Sequence, residues 1–491
     1  KVARGPALLV LGVLLLQAAW IVTTPPFRGI DEFDHAFRAA AVAGGEWVPG
    51  MPAEAGRGRL VTVPRDIAEA AHAQCAALEY TGPDNCSPVK ELPEGRVQIA
   101  SSAADYPPLF YWVVGTVALP FEGAAALYAM RIATALLSLF FVGVAAWAMG
   151  LLRGAWPMIG LILGLTPVFI YSTTVAAPNG VEMGAGVALW ATLLALVDGR
   201  SRNIETRLLW GAILSAAVLG GLRLLGPAFL LMILSTVAAL DWRATRDLIR
   251  RRLRLALLGT GIVGASVAAQ AYWMFHVVVD EVSTPGAENP SVVTASSLIA
   301  WPLQTIAAFP LRTDSGPGVV YLVVAVLVMG LVVTAWRRGL GRARVLMLVT
   351  LIASLAFPYV FTLPTVDSVG NIWQGRYLLP YSVGLVLLAG YALGRRRPGP
   401  SLPRTAFLLA GTSYAVALAS CYIKLRSDEL SGRSASIADA AWHPPSPFML
   451  VAITAVAVAL LTAAVVRTQE PAVIQGTRPD PRVSAEEVTK G

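Results

Sequence analysis

The sequence predicts an all-α polytopic membrane protein, and three observations predict it. Of its 491 residues 56% are apolar and 14% charged, against roughly 25% charged in soluble domains, and the mean hydropathy is +0.64. Charge-free runs of about twenty residues, the length that crosses a bilayer, recur along the chain. The lysines and arginines gather in alternate connecting segments. Disorder and a small disulfide scaffold are excluded by the high apolar content and by only three cysteines.

An ionised side chain at the bilayer centre costs about 2.5–3.5 kcal/mol, so charge-free runs mark the crossings. Residues 5–27, 132–152, 255–279, 315–336, 345–366, 405–423 and 444–466 are each long enough. Residues 154–181 and 183–197 read as a pair turning at Ala177-Pro178-Asn179-Gly180. Residues 208–222 and 224–240 are short and meet at Arg223, near a Gly226-Pro227 break, and 377–394 completes about twelve spans. Alternating these from a cytoplasmic N-terminus places 24 of the 38 lysines and arginines inside, as the positive-inside rule requires. Both termini are then cytoplasmic, and the first run reads as a retained helix rather than a signal peptide. Residues 107–121, which open Pro-Pro and are aromatic-rich, are too short to cross and read as an interfacial helix. Counting them as a span would invert every later loop.

Residues 24–125 form a large first outer loop, net −6 in a protein of +8, and a loop that long has structure or function of its own. Residues 1–466 thus form one transmembrane domain, and 467–491 read as a disordered cytoplasmic tail. Cys75 and Cys86 share the outer loop, where an oxidising environment favours a disulfide between them.

Three groups of residues could carry chemistry. After the first span the chain reads Asp31-Glu32-Phe33-Asp34-His35-Ala36-Phe37-Arg38. On a helix Asp31, Asp34, His35 and Arg38 share one face. The patch reads either as a solvated acidic turn, with Asp31 as cap and Arg38 pairing Asp34, or as a site. Asp31, Glu32 and Asp34, with His35, leave room for a divalent cation, though the spacing fits no specific cage. Second, Arg223 and Arg376 lie at the outer boundary with no acidic neighbour in sequence. Such a guanidinium either snorkels to headgroups or receives a phosphate. Third, Glu182 lies one turn inside an uncharged span; it either complements a helix N-terminus or lines the same cavity. His276, Asp280, Glu281, Asp314 and Asp367 read as solvated loop-edge groups.

These motifs carry a resemblance. The acidic pair Asp31-Glu32 after the first span precedes a large outer loop with Tyr106-Pro107-Pro108-Leu109-Phe110-Tyr111-Trp112 and then Arg131-Ile132-Ala133-Thr134. In this order the chain resembles the GT-C superfamily of integral-membrane glycosyltransferases, in its protein mannosyltransferase and aminoarabinose transferase branches. Asp31 to Ala39, the Pro178-Asn179-Gly180 turn and Gly375-Arg376-Tyr377-Leu378-Leu379-Pro380 look most like the bacterial membrane-protein family of domain of unknown function 2142. It departs in Asn179, where related turns often have Asp, and in having no large C-terminal soluble domain.

The resemblance implies a GT-C-like bundle that transfers a sugar from a polyprenyl-phosphate donor to a glycan or lipid-linked acceptor, on the outer face of the cytoplasmic membrane, in cell-envelope glycan assembly. Asp31 would be the general base and Glu32 its catalytic partner. Arg376 and Arg223 would receive the leaving phosphate. Asp34, His35, Arg38 and Glu182 would orient base, acceptor or donor, with Tyr106, Tyr111 and Tyr377 as aromatic contacts. No nucleic-acid partner is expected. The competing reading is a transporter or flippase of a lipid-linked or anionic solute, which calls for inverted repeats and a polar through-path; the polar groups here crowd one face.

Overall fold

The computed structural model describes residues 4–76, 81–277, 296–311, 314–339, 341–364, 373–394, 402–430, 442 and 444–469. Asp280, Glu281, Asp367 and residues 470–491 of the expected tail lie outside them.

Helix α1 (Arg4–Thr23) crosses once and hands the chain to the first loop. There α2 (Glu32–Ala43) is followed by β1 (Arg59–Pro64), α3 (Arg65–Ala76), α4 (Pro83–Cys86), β2 (Lys90–Leu92), β3 (Arg96–Ser101) and α5 (Pro108–Ala118). The three strands form an antiparallel sheet in the order β1-β3-β2, with Val61 opposite Ile99 and Val63 opposite Val97. This sheet is an addition to the expected all-helical chain. Alternation drives it, because Arg59, Val61 and Val63 face inward while Leu60, Thr62 and Pro64 are half-exposed. Cys75 and Cys86 are disulfide-bonded across a Cα separation of 5.3 Å, tying α3 to α4. Helix α5 has 11 residues, so it is about 16 Å long and cannot span the roughly 30 Å of hydrocarbon. It packs so closely on α2 that a Cβ on Gly115 would stand 2.1 Å from the Ala39 carbonyl oxygen.

The bundle continues with α6 (Gly123–Gly150), α7 (Trp156–Gly164), α8 (Pro167–Ser172), α9 (Asn179–Asp198), α10 (Glu205–Leu222), α11 (Gly226–Leu240), α12 (Trp242–Arg251) and α13 (Leu253–Tyr272). After α14 (Ser297–Gln304) come α15 (Gly318–Arg338), α16 (Gly341–Thr362), α17 (Leu379–Ser382), α18 (Gly384–Leu393), α19 (Leu402–Leu430) and α20 (Pro447–Gln469). Helix α9 is the central post: 94% of its most apolar stretch is buried, and α6 and α10 pack against it.

Among the described residues nine helices are long and apolar enough to cross a membrane, or ten if one bent pair counts as a span. Two of the twelve expected runs are broken rather than straight. Residues 154–181 form no single helix. Pro167 has no N–H to continue the ladder, and the Thr166 hydroxyl caps α8 instead, so the run breaks into α7 and α8. Residues 224–240 form the 15-residue α11, which turns by 105° into α12. The stretch 405–423 lies within α19, where the side chains of its first part fall outside the described residues.

Candidate active site

The site is built at the end of α1 that carries the first loop. Helix α1 ends with unpaired carbonyls, as every helix does, and Arg131 of α6 takes three of them at this turn. Its Nη1 donates to the oxygens of Ile21 and Thr24, and its Nη2 to that of Pro25. The same guanidinium grips Glu32 in a bidentate pair, Nε to Oε1 at 2.8 Å and Nη2 to Oε2 at 2.5 Å. Glu32 also accepts from the backbone N–H of Gly29 and of Ala176. With both oxygens engaged and no solvent exposure, Glu32 is held as a clamp on this turn, a structural use where a catalytic place beside Asp31 is expected.

The clamp pins the short turn from Pro25 to Glu32, and Asp31 sits on it in the left-handed region at φ 55°. Asparagine and aspartate tolerate this conformation better than other non-glycine residues. Asp31 occupies the N-cap position of α2 yet makes no side-chain cap hydrogen bond. Its carboxylate instead turns to Arg376, Oδ2 to Nη2 at 3.5 Å, with 32% of its side chain exposed against 6% for the arginine.

Arg376 belongs to a 3₁₀ turn (Gly375–Leu378) that leads into α17. The turn is fastened by Gly375 N–H donating to Gln304 of α14, and a Cβ on Gly375 would stand 2.1 Å from the Trp301 carbonyl oxygen. The next residue, Tyr377, lies under both arginines: Arg376 is 5.6 Å and Arg223 4.7 Å from its ring centroid, within cation–π range. Arg223, at the break between α10 and α11, pairs with Glu182 of α9 at 2.9 Å and reaches the Tyr106 hydroxyl at 3.4 Å. Folding thus supplies the acidic partners that the local sequence of the two arginines lacks. The Nε of Arg223, the Nε of Arg376 and Oε1 of Glu182 are buried without a hydrogen-bond partner. Buried donors and acceptors are rarely left so, and here three stand within one constellation.

The remaining residues of the acidic patch tie α2 to its surroundings. Asp34 accepts from the backbone N–H and the hydroxyl of Ser102, each at 2.7 Å; burial still pushes its carboxyl up to about 7. His35 Nδ1 lies 2.8 Å from the Tyr111 hydroxyl, and burial, with Arg223 and Arg376 nearby, pushes its imidazole down to about 3, so it is neutral. Arg38 does not pair with Asp34. It donates to the carbonyl oxygens of Glu46, Trp47 and Tyr106 and lies 5.8 Å from the Trp273 ring. Tyr111 is 1% exposed and braces His35, whereas Tyr106 joins the arginine cluster. The expected cation site does not fit. Glu32 and Asp34 are turned to separate partners, and among the described residues no group of three or more His, Cys, Asp or Glu side chains could hold a metal.

Arg131 was not singled out by sequence reasoning, although a signal existed: it is a lone arginine at the edge of a charge-free run, as Arg223 and Arg376 are. Beside the site, Leu163, Trp301, Val324, Leu355, Trp373 and Leu379 line an apolar cavity of about 270 Å³ that reaches Gly375.

Fold and site together define an integral-membrane protein with a buried arginine–carboxylate centre under its first loop. The chain belongs to the family described as "Predicted membrane protein (DUF2142)", which matches residues 14–385 and so includes Asp31, Glu182, Arg223 and Arg376. It is similar to crystal structures of ArnT from Cupriavidus metallidurans, one bound to undecaprenyl phosphate at 18% identity and one in the apo state at 17%. Each likeness covers 93% of this chain and 77% of that chain with a TM-score of 0.46. No curated protein matches the chain.

Proposed function

We propose that this protein is an inverting GT-C-type glycosyltransferase that moves a sugar from a polyprenyl-phosphate donor to an acceptor hydroxyl, a glycan or a lipid-linked acceptor of the cell envelope. The observation that carries the reading is the pairing of the partly exposed Asp31 carboxylate with Arg376, which shares Tyr377 with Arg223. An acceptor hydroxyl ionises far above neutrality, so its attack needs a base, and the Asp31 carboxylate, 32% exposed beside Arg376, is placed to serve as one. As the acceptor oxygen bonds to the anomeric carbon, its proton passes to Asp31 and the bond from that carbon to the phosphate oxygen breaks. The electron pair leaves with the lipid phosphate. That leaving group is a stable anion and needs no protonation, unlike the leaving oxygen in glycoside hydrolysis. The guanidinium groups of Arg376 and Arg223, each with an unused Nε donor, stabilise its growing charge. A single displacement inverts the anomeric centre. The apolar cavity beside Gly375 suits the lipid chain that accompanies such a phosphate. No step runs through a metal ion.

The charge distribution supports a cytoplasmic-membrane protein with both termini cytoplasmic and the site extracytoplasmic, since alternating the expected spans puts 24 of the 38 lysines and arginines on the side opposite the first loop. Membranes containing the wild type, incubated with labelled polyprenyl-phosphate sugars, are expected to yield labelled acceptor. Asp31→Asn keeps the shape and removes the base, and a loss of 10²-fold or more in rate is expected from the usual contribution of general base catalysis. Transfer at the wild-type rate by Asp31→Asn would remove Asp31 from the base role.

A further inference from the structure

The opposite end of the bundle carries a second charged feature, independent of the site above. Helix α12 joins α11 to the membrane-length α13 with almost no intervening chain. It must therefore stay at the membrane boundary, and its 105° turn from α11 lays it across the bundle rather than along it. Leu248 faces the protein, 8% exposed, while Trp242 and Ile249 are 60% and 43% exposed. On a helical period of about 100° per residue, Trp242 and Ile249 stand about 20° apart, and Arg243, Arg246 and Arg250 fill an arc of about 60° beside them. Arg251 and Arg252 pair with Glu205. Arg243, Arg246 and Arg250 are exposed, and among the described residues they have no ion pair; Asp247 is the one acidic residue within the helix.

We propose that α12 is a binding strip for anionic phospholipids of the leaflet at this end, Arg243, Arg246 and Arg250 taking the phosphodiester headgroups while Trp242 and Ile249 enter the acyl boundary. Charge complementarity selects the occupant, because three neighbouring guanidinium groups with no ion pair among the described residues, and a single Asp247 on their helix, favour a surface of net negative charge. The apolar flank beside them excludes a soluble acidic partner, which would leave Trp242 and Ile249 in water. An amphipathic basic helix with tryptophan at its apolar edge is the form that lies in a bilayer interface.

The test uses the full-length protein, delipidated in neutral detergent and titrated with phosphatidylglycerol or phosphatidylcholine, with bound lipids counted by native mass spectrometry. Each arginine at a charged surface is worth about fivefold in affinity. The wild type is expected to prefer phosphatidylglycerol, and Arg243→Gln/Arg246→Gln/Arg250→Gln to lose about 10²-fold of that preference. Arg337→Gln/Arg338→Gln, a basic pair in the last turn of α15, is expected to keep it. Should the triple variant fail to fold, Arg246→Gln alone carries the expected fivefold loss. Equal binding of the two lipids by the wild type, or an unchanged preference in the arginine variants, overturns the proposal. So does displacement of phosphatidylglycerol by millimolar inorganic phosphate, which would mark a soluble-anion site.

Discussion

Removing one partner of the Glu32–Arg131 pair should reveal how the first loop is held. Both side chains are 1% exposed or less, and the contact is bidentate. Deleting one member of a buried ion pair typically costs about 3–5 kcal/mol, most of it the penalty of a charge left without its partner. Glu32→Gln is expected to fall in that range. Arg131 keeps the carbonyls of Ile21, Thr24 and Pro25 but faces no compensating charge. Arg131→Met should cost as much, because it strands Glu32 and also unpairs those carbonyls. The double variant leaves no buried charge, so its loss should be well below the sum of the two single losses, by about 3 kcal/mol or more. Equilibrium unfolding in mixed micelles, followed by tryptophan fluorescence, measures all three. Single losses below about 1 kcal/mol, or losses that add in the double variant, would refute the clamp.

Other consequences are equally direct. Arg376→Ala should weaken binding of a polyprenyl phosphate by about 10–100-fold, the worth of a hydrogen bond to a charged group, as measured by calorimetry in detergent; unchanged affinity removes its phosphate role. Gly115→Val should destabilise the packing of α2 on α5, because the added Cβ meets the Ala39 carbonyl at 2.1 Å; faster proteolysis of the first loop would report it, and wild-type resistance would contradict the close approach. The pH dependence of stability separates Asp34 from His35. Between pH 3 and 6.5 the unfolded chain protonates a histidine that stays neutral when folded, so His35 makes stability rise with pH. Between pH 3.8 and 7 the folded chain keeps a proton on Asp34 that the unfolded chain releases, so Asp34 makes stability fall with pH. Relative to wild type, Asp34→Asn should therefore gain stability as pH rises from 4 to 7, and His35→Phe should lose it from pH 4 to 6.5. Parallel melting curves for the variants and wild type would show neither group to be perturbed by folding.

Much of the architecture was legible because membrane insertion depends on local quantities. A charge-free run, an arginine-rich connection and a run too short to cross are each properties of a dozen or two consecutive residues, and α1, α6, α9, α13, α15 and α20 fall where those properties put them. Hydropathy alone joins residues 154–181 into one run, while Pro167, through the backbone hydrogen bond it removes, divides it into α7 and α8. The β1-β3-β2 sheet was hidden for another reason: its strands are three to six residues long, too short for alternation to stand out from the surrounding loop.

The acidic patch shows the limit most clearly. Spacing along α2 puts Asp31, Asp34, His35 and Arg38 on one face, and that much needs no coordinates. Their fates then diverge, since Asp34 meets Ser102, His35 meets Tyr111, Arg38 meets loop carbonyls and Asp31 alone meets Arg376. Residue types and their distance from the membrane surface are written in the chain, and from them follow the membrane class, the acidic first loop and the candidate arginines. Which carboxylate faces which guanidinium is decided by helices that pack together after insertion, as when Arg131 reaches Glu32 from 99 positions away. Burial then makes each such choice costly to reverse, because a charge in a medium of low dielectric must have its partner within hydrogen-bonding distance.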